Sequence, residues 1–355
     1  MSMKNTKFTG LFTRKKAVRY LIYVLFVCAF AVFVIKLNQV EKTELVVRTG
    51  QTFEKAKVVK ILQDNLEENG TRVGEQKVRV RMLTGVRKGE ELDITSSSGY
   101  LFGAACKPGM KVIVMQSVAG DSTVASVYTQ DREGVIYIFA LIYLLVLCLI
   151  GGKQGIKGCL GLVFTFFCVI FVYLPLVYLK YSPFWTAVFV CFITTLVTMY
   201  LIGGPTRKTC AATLGTLVGV ILAGVSAWCF SKASGISGYN VSDIETLMTL
   251  WNTNRIQVGG LLFSGLLISC LGAVMDVAMS ISSAIDEIYR QNLSLSRKEL
   301  FKAGLRVGRD MMGTDSNTLI LAFAGSSVST LLLDYSYNLP YQQIINSNNI
   351  GIAIM

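Results

Sequence analysis

The chain has 355 residues, 52% of them apolar and only 16% charged, with a formal net charge of +12. Soluble domains carry about a quarter charged residues, so the composition excludes an ordinary soluble enzyme and points to a chain spent largely in a bilayer. The basic excess gathers beside the ends of apolar runs, as cytoplasmic loops require, and not on one soluble face, which argues against nucleic acid as a partner.

Other absences narrow the chemistry. There is no histidine, which removes His triads, His metal sites and the usual neutral-pH proton shuttle. Every cysteine except Cys106 falls in an apolar run, so no disulfide can staple the one polar segment, and the thiols read as small buried hydrophobes. No Gly-x-x-x-x-Gly-Lys-Ser/Thr phosphate loop occurs, so there is no built-in ATPase. The sequence calls for no cofactor and no metal.

In chain order, Arg14, Lys15 and Lys16 precede an apolar run at 17–35. It is long for a signal-peptide core and lacks a small-x-small cleavage site. Residues 1–40 therefore read as a cytoplasmic N-terminus followed by a retained membrane anchor. Residues 41–133 change character, with frequent charges and alternating apolar positions. Strands are predicted at 57–62, 76–83, 91–94, 111–115 and 122–128, with turns at Gly85, Lys88-Gly89 and Lys107-Pro108-Gly109. About five or six short strands indicate a small all-β barrel or sandwich, an OB-like barrel being the first candidate. This domain binds a ligand or acts as a spacer; both readings stay open.

Residues 134–355 read as a multi-span helical membrane domain. Apolar runs at 135–150, 158–178, 184–202, 209–230, 258–280 and 318–333, with the anchor, give about seven spans. Charge parity tests the count. A cytoplasmic N-terminus makes 41–133 extracytoplasmic. It also places Lys153, Lys157, Arg207, Lys208 and the basic segment 286–313 inside, in keeping with the positive-inside rule. The connection 231–257, with Asp243 and Glu245 against Lys232 and Arg255, then lies outside. Residues 350–355 open another apolar run too short to span, either a truncated eighth span or an interfacial stub.

Asp276, in Leu271-Gly272-Ala273-Val274-Met275-Asp276-Val277-Ala278, is the residue that most demands explanation. A carboxylate within a span costs roughly 2.5–3.5 kcal/mol on insertion scales and marks ion pathways and proton relays. Ser280 and Ser283 follow it at helical spacing on one face. Gly259, Gly260, Gly265, Ser269, Gly272 and Ala273 permit close helix approach, setting Asp276 against a neighbour. Alternatively Asp276 is a structural hydrogen-bonding group, or is wetted at the cytoplasmic end. A second set opens the last strong span: Thr314, Asn317 and Thr318 on one face, with Asp315 as a second carboxylate. They are placed to hydrogen-bond the Asp276 helix, or Thr314 or Asp315 serves as a helix cap. Between the two sets, 295–311 is a basic amphipathic stretch expected to lie in the interface. Ala324-Gly325-Ser326-Ser327 reads as helix packing, and no catalytic residue is assigned.

The stretch Gly272-Ala273-Val274-Met275-Asp276 through Gly308-Arg309-Asp310-Met311-Met312-Gly313-Thr314 and Asn317-Thr318-Leu319 resembles the YibE/YibF family of bacterial membrane proteins. The resemblance runs from about residue 52 onward and is densest at 258–333. It implies a multi-pass membrane protein with an extracytoplasmic domain near its N-terminus and a further C-terminal span, and implies little about activity. The spacing from Asp276 to Asn317-Thr318-Leu319 is also weakly similar to the membrane core of SecD/SecF and of resistance-nodulation-division permeases. That similarity implies a proton site at Asp276 with Thr314, Asn317 and Thr318 as neighbours.

The expected function is that of a transporter or permease component in the cell membrane, proton-coupled through Asp276, and not an enzyme. The alternative is a membrane scaffold or accessory subunit whose outer domain binds a partner. Expected partners are the lipid bilayer, an unidentified substrate or protein, and a second copy or paired membrane subunit.

Overall fold

The computed structural model of the chain describes residues 14–40, 50–68, 70, 72–97, 103–119, 122–239, 244–254 and 257–354. Asp243 and Arg255 lie outside the described residues. The chain divides into two compact units, Glu44–Val146 and Met1–Thr43 with Leu147–Met355.

The first unit contains a closed barrel of five strands: β1 (Gln51–Gln63), β2 (Glu75–Met82), β3 (Glu91–Ser97), β4 (Lys111–Ala119) and β5 (Ser122–Gln130). Their order around the barrel is β1-β2-β3-β5-β4, and β4 returns to pair with β1. All pairings are antiparallel except β3 with β5. Period-two alternation sets the inward face. On β2, Val78, Val80 and Met82 point into a core shared with Ala56, Val58, Val112 and Val114, while Arg79 and Arg81 point out. Each outward arginine meets its cross-strand partner on β3. Arg79 makes a two-pronged pair with Asp93 at 2.6 and 2.7 Å, and Arg81 reaches Glu91 at 2.7 Å. Closure removes the sheet edges that would otherwise recruit other strands.

The polar side chain of Gln76 is fully buried in this barrel. It escapes the cost of an unpaired amide because Cys106 N–H donates to its Oε1 at 2.8 Å and its Nε2 donates to Asp64 at 3.0 Å. Burial pushes the Cys106 thiol up, leaving it protonated and inert.

The barrel's carboxylates fix its acid response. The hydrogen bond from Arg72 holds Asp64 below the usual carboxylate range, and the hydrogen bond from Arg79 does the same for Asp93. A lowered folded value means stability present above the unfolded value, about 3.9, and lost as pH falls through the folded one. Both pairs are solvent-exposed, so the loss is modest. Thermal unfolding of the barrel is expected to be flat between pH 7 and 5 and to fall below about pH 4. Asp93→Asn should flatten that decline.

The second unit is helical. It holds α1 (Arg14–Leu37) and, after α2 (Glu133–Cys168), a π-helical turn Val169–Tyr173 and α3 (Leu174–Tyr178). Then come α4 (Pro183–Gly203), α5 (Arg207–Ser234), α6 (Ile244–Asn254), α7 (Leu261–Gln291), α8 (Arg297–Ser336), α9 (Tyr341–Ile345) and α10 (Asn348–Ile354). Among the described residues five helical stretches are long and apolar enough to cross a membrane: Glu133–Tyr178, Pro183–Gly203, Arg207–Ser234, Val258–Gln291 and Arg297–Ser336. Val27–Leu37 is a shorter apolar helix.

Two expected spans, 135–150 and 158–178, thus fall in one continuous stretch, interrupted by non-helical backbone at Gly152 (φ 51°, ψ −130°). The chain folds back there. A Cβ on Gly155 would sit 2.1 Å from the Leu147 carbonyl oxygen, although residues eight apart in a straight helix are separated by about 12 Å. Pro175 does not break its helix. It lacks an N–H and its ring crowds the carbonyl four residues back. The π turn Val169–Tyr173 absorbs both defects, and Leu174 N–H bonds Val169 O. α1 packs beside this region through Phe30 against Phe164 and Phe167, and Asn38 Nδ2 donates to Phe171 O at 2.9 Å.

Two further expectations are corrected. The amphipathic stretch 295–311 and the span 318–333 are one unbroken helix, α8. Thr314 and Asp315 consequently lie mid-helix and cap nothing. The cap is Ser296, which accepts from Glu299 N–H, while the Glu299 side chain accepts from Ser296 N–H. At 40 residues, α8 is about 60 Å long, twice a hydrocarbon core. Its basic first half continues the axis of the span.

Candidate functional site

The site grows from the hairpin of α7 and α8. Both helices are joined by a tight connection in which Ser294 Oγ donates to Asn292 Oδ1 at 2.6 Å. Gly304 and Gly308 on α8 then face Ile285 and Ile281 on α7. A Cβ on Gly304 would meet Ile285 Cδ1 at 2.7 Å, so a small-x-x-x-small pair brings the two helices into close contact. Further along the same antiparallel hairpin, Asp276 and Asp315 come close enough for their charges to interact. Asp315 Oδ2 is buried and has no hydrogen-bond partner among the described residues.

Placement of the other candidates differs. Asp276 and Ser280 are exposed on the surface of the chain and Ser283 is half-buried. Thr314, Asn317 and Thr318 are exposed on α8. Thr318 Oγ1 donates to Thr314 O at 3.0 Å within its own helix, so that proton is not offered to α7. Among the described residues no hydrogen bond joins these three side chains to α7. The structure therefore places the two carboxylates within electrostatic range of each other and leaves the hydroxyl and amide groups on the open side. Gly325 meets no neighbour, and Ser326 bonds its own helix at Phe323 O.

Of the small residues expected to permit close approach, Gly260 packs on Pro183 at the start of α4 and Gly259 on Tyr239, each leaving 3.3 Å for a Cβ, while along α7 itself the small residues of the contact are on α5. Gly265 and Gly272 meet nothing within 4 Å, whereas a Cβ on Gly219 would lie 2.5 Å from Val274 and one on Gly215 would lie 3.7 Å from Ala278. The face of α7 carrying Leu267, Leu271 and Val274 is thus packed. The opposite face, carrying Gly265, Gly272, Asp276 and Ser280, is open. Gly219→Leu should force α5 from α7, since overpacking a tight contact costs about 1–3 kcal/mol. The expected reading is a lower unfolding temperature of the helical unit with the barrel's transition unchanged.

Sequence reasoning missed a buried pair beside this packing. Tyr173 Oη, in the π turn, and Ser264 Oγ on α7 are 2.5 Å apart, and π turns recur at functional positions. Pro175, near the end of its span, was the available signal. A cavity of about 750 Å³ lies between α4, α5 and α7. It is walled by Phe184, Trp185, Phe192, Trp228 and Phe263, with almost no polar surface. The Gly215-x-x-x-Gly219 and Gly304-x-x-x-Gly308 spacings were legible signals for the two helix contacts.

Comparison with known proteins bears on the helical part. No curated protein and no solved structure matches the chain significantly. Residues 139–355 match the YibE/F-like protein family, a match that starts after the barrel and not near residue 52. It includes both carboxylates, both glycine pairs and the Gly152 break. With more than half its length matched in this way, the chain belongs to the YibE/F family.

Proposed function

We propose that this protein is a transporter or permease component of the cell membrane, coupled to protons through Asp276 and Asp315. The single observation that supports it most is that two carboxylates on adjacent apolar helices lie within electrostatic range of each other, one oxygen of which is buried and, among the described residues, unpartnered. In hydrocarbon, two ionised carboxylates repel one another and a buried acceptor without a donor is costly. One proton held by the pair relieves both. Such a pair exchanges that proton as its surroundings alternate between wet and dry. No bond-making step is assigned to it.

In the same reading, α1 and the two limbs on either side of Gly152 each cross the bilayer, which gives seven spans. The N-terminus is cytoplasmic and the barrel, of OB-like order, is extracytoplasmic. A second copy or a paired membrane subunit covers the open face of α7 and α8. The test is acid-driven proton uptake into vesicles that carry the full chain and an internal pH dye. Uptake above that of empty vesicles is expected. Uptake equal to empty vesicles, with and without native membrane extract supplying substrate, overturns the reading.

The accessory-subunit reading has one observation in its favour. Phe53 and Tyr128 stack edge-to-face at 5.1 Å on the outside of the barrel, both exposed. Exposed aromatic pairs serve as anchors for partners.

A further inference from the structure

Cys148 and Cys159 read in the sequence as isolated apolar fillers eleven positions apart. In a straight helix that separation is about 16 Å. The fold-back at Gly152 brings their Sγ atoms to 3.5 Å. The approach is built in on both sides of the turn. Gly155 has no room for a Cβ against the Leu147 carbonyl, and a Cβ on Gly158 would touch the Leu147 side chain at 3.9 Å. Both cysteines are half-buried, whereas Cys106, Cys168 and Cys191 are buried. Lys153 and Lys157 stand exposed on the turn between the two.

We infer that Cys148 and Cys159 form a redox site that a peroxide closes to a disulfide. The thiol of one gives up its proton and the thiolate attacks a peroxide oxygen; the O–O bond breaks to give a sulfenic acid and hydroxide, which takes up that proton as one water. The second thiol attacks the sulfenic sulfur, the S–S bond forms, and the hydroxyl leaves with the thiol proton as a second water. The two sulfurs supply the two electrons that the peroxide takes. Closure requires the sulfurs to approach from 3.5 Å to about 2.05 Å. The bond would tie the two limbs at the turn, independently of Asp276 and Asp315. A thiol reductant reopens it.

The test uses the full chain in lipid vesicles, reduced and then treated with hydrogen peroxide, alkylated after denaturation and mapped by mass spectrometry. The expected result is a peptide pair joining Cys148 to Cys159 that dithiothreitol releases, while Cys106, Cys168 and Cys191 remain alkylated. In Cys159→Ser the link is lost and Cys148 is trapped as a sulfenic acid by dimedone. Full alkylation of both Cys148 and Cys159 after peroxide overturns the inference. So does oxidation spread over the exposed Cys28, Cys210 and Cys229 with no 148–159 link.

Discussion

Vesicles carrying Asp276→Asn are expected to take up protons no faster than empty ones, with the protein still folded and inserted. Asn keeps the size and polarity of the side chain but cannot bind or release a proton. Asp276 is exposed on the chain's surface and, among the described residues, makes no ion pair or hydrogen bond on which the packed face of α7 depends. That face is held by Leu267, Leu271 and Val274 against α4 and α5, so the substitution should spare stability. Asp315→Asn removes the partner charge and leaves Asp276 without its neighbour. It is expected to slow uptake by roughly tenfold, the effect of about 1.4 kcal/mol on a barrier, without abolishing it. Wild-type uptake by Asp276→Asn would remove proton coupling from this pair and favour the accessory-subunit reading.

Gly103→Ala is expected to unfold the barrel. Gly103 has φ +83°, and a Cβ there would lie 1.7 Å from the Ser97 carbonyl oxygen, a backbone atom that cannot rotate away. Gly103 N–H also donates to Tyr128 O at 2.9 Å, so the segment cannot shift without losing its tie to β5. Positive φ alone costs about 1–2 kcal/mol. The clash adds to that against a domain stability of about 5–15 kcal/mol. Gly109→Ala is the control: its φ is +85° but nothing lies within 4 Å of the added carbon. Limited proteolysis of the full chain in lipid should cut the barrel rapidly in Gly103→Ala and near the wild-type rate in Gly109→Ala. Equal resistance in both would show that the Ser97 carbonyl yields.

The contrast between these glycines shows which features could be read in advance. Local signals were legible. Period-two alternation at Val78, Val80 and Met82 gave β2, and Gly85, Gly89 and Gly109 marked turns that do take positive φ. Pairing across the barrel was not legible, because β4 closing on β1 joins residues some sixty positions apart and depends on the shape of the whole sheet. Among the helices, apolar length identified the membrane-compatible stretches. It gave no account of continuity: α8 runs through Gly308 and Gly313, since glycine only weakens a helix, while Gly152 breaks one by adopting positive φ.

For the candidate site, the cost of a carboxylate in hydrocarbon singled out Asp276 from sequence alone. Its meeting with Asp315 followed from the register of two helices seated by Gly304 and Gly308. The hydroxyl of Thr318, expected to face α7, is satisfied within its own helix instead, as Ser and Thr in membrane helices commonly are. The cysteine pair was hidden for the same reason as the barrel closure: proximity was created by a chain reversal that composition does not encode.

In the proposed reading, Asp276 and Asp315 hold one exchangeable proton between them. Infrared difference spectroscopy of the protein in lipid, taken at neutral pH as wild type minus Asp276→Asn and wild type minus Asp315→Asn, tests it most directly. A carboxylic-acid C=O band that is altered in both differences and shifts in deuterium oxide is the expected result. Two ionised carboxylates in the wild type, with no acid band lost in either variant, would contradict it.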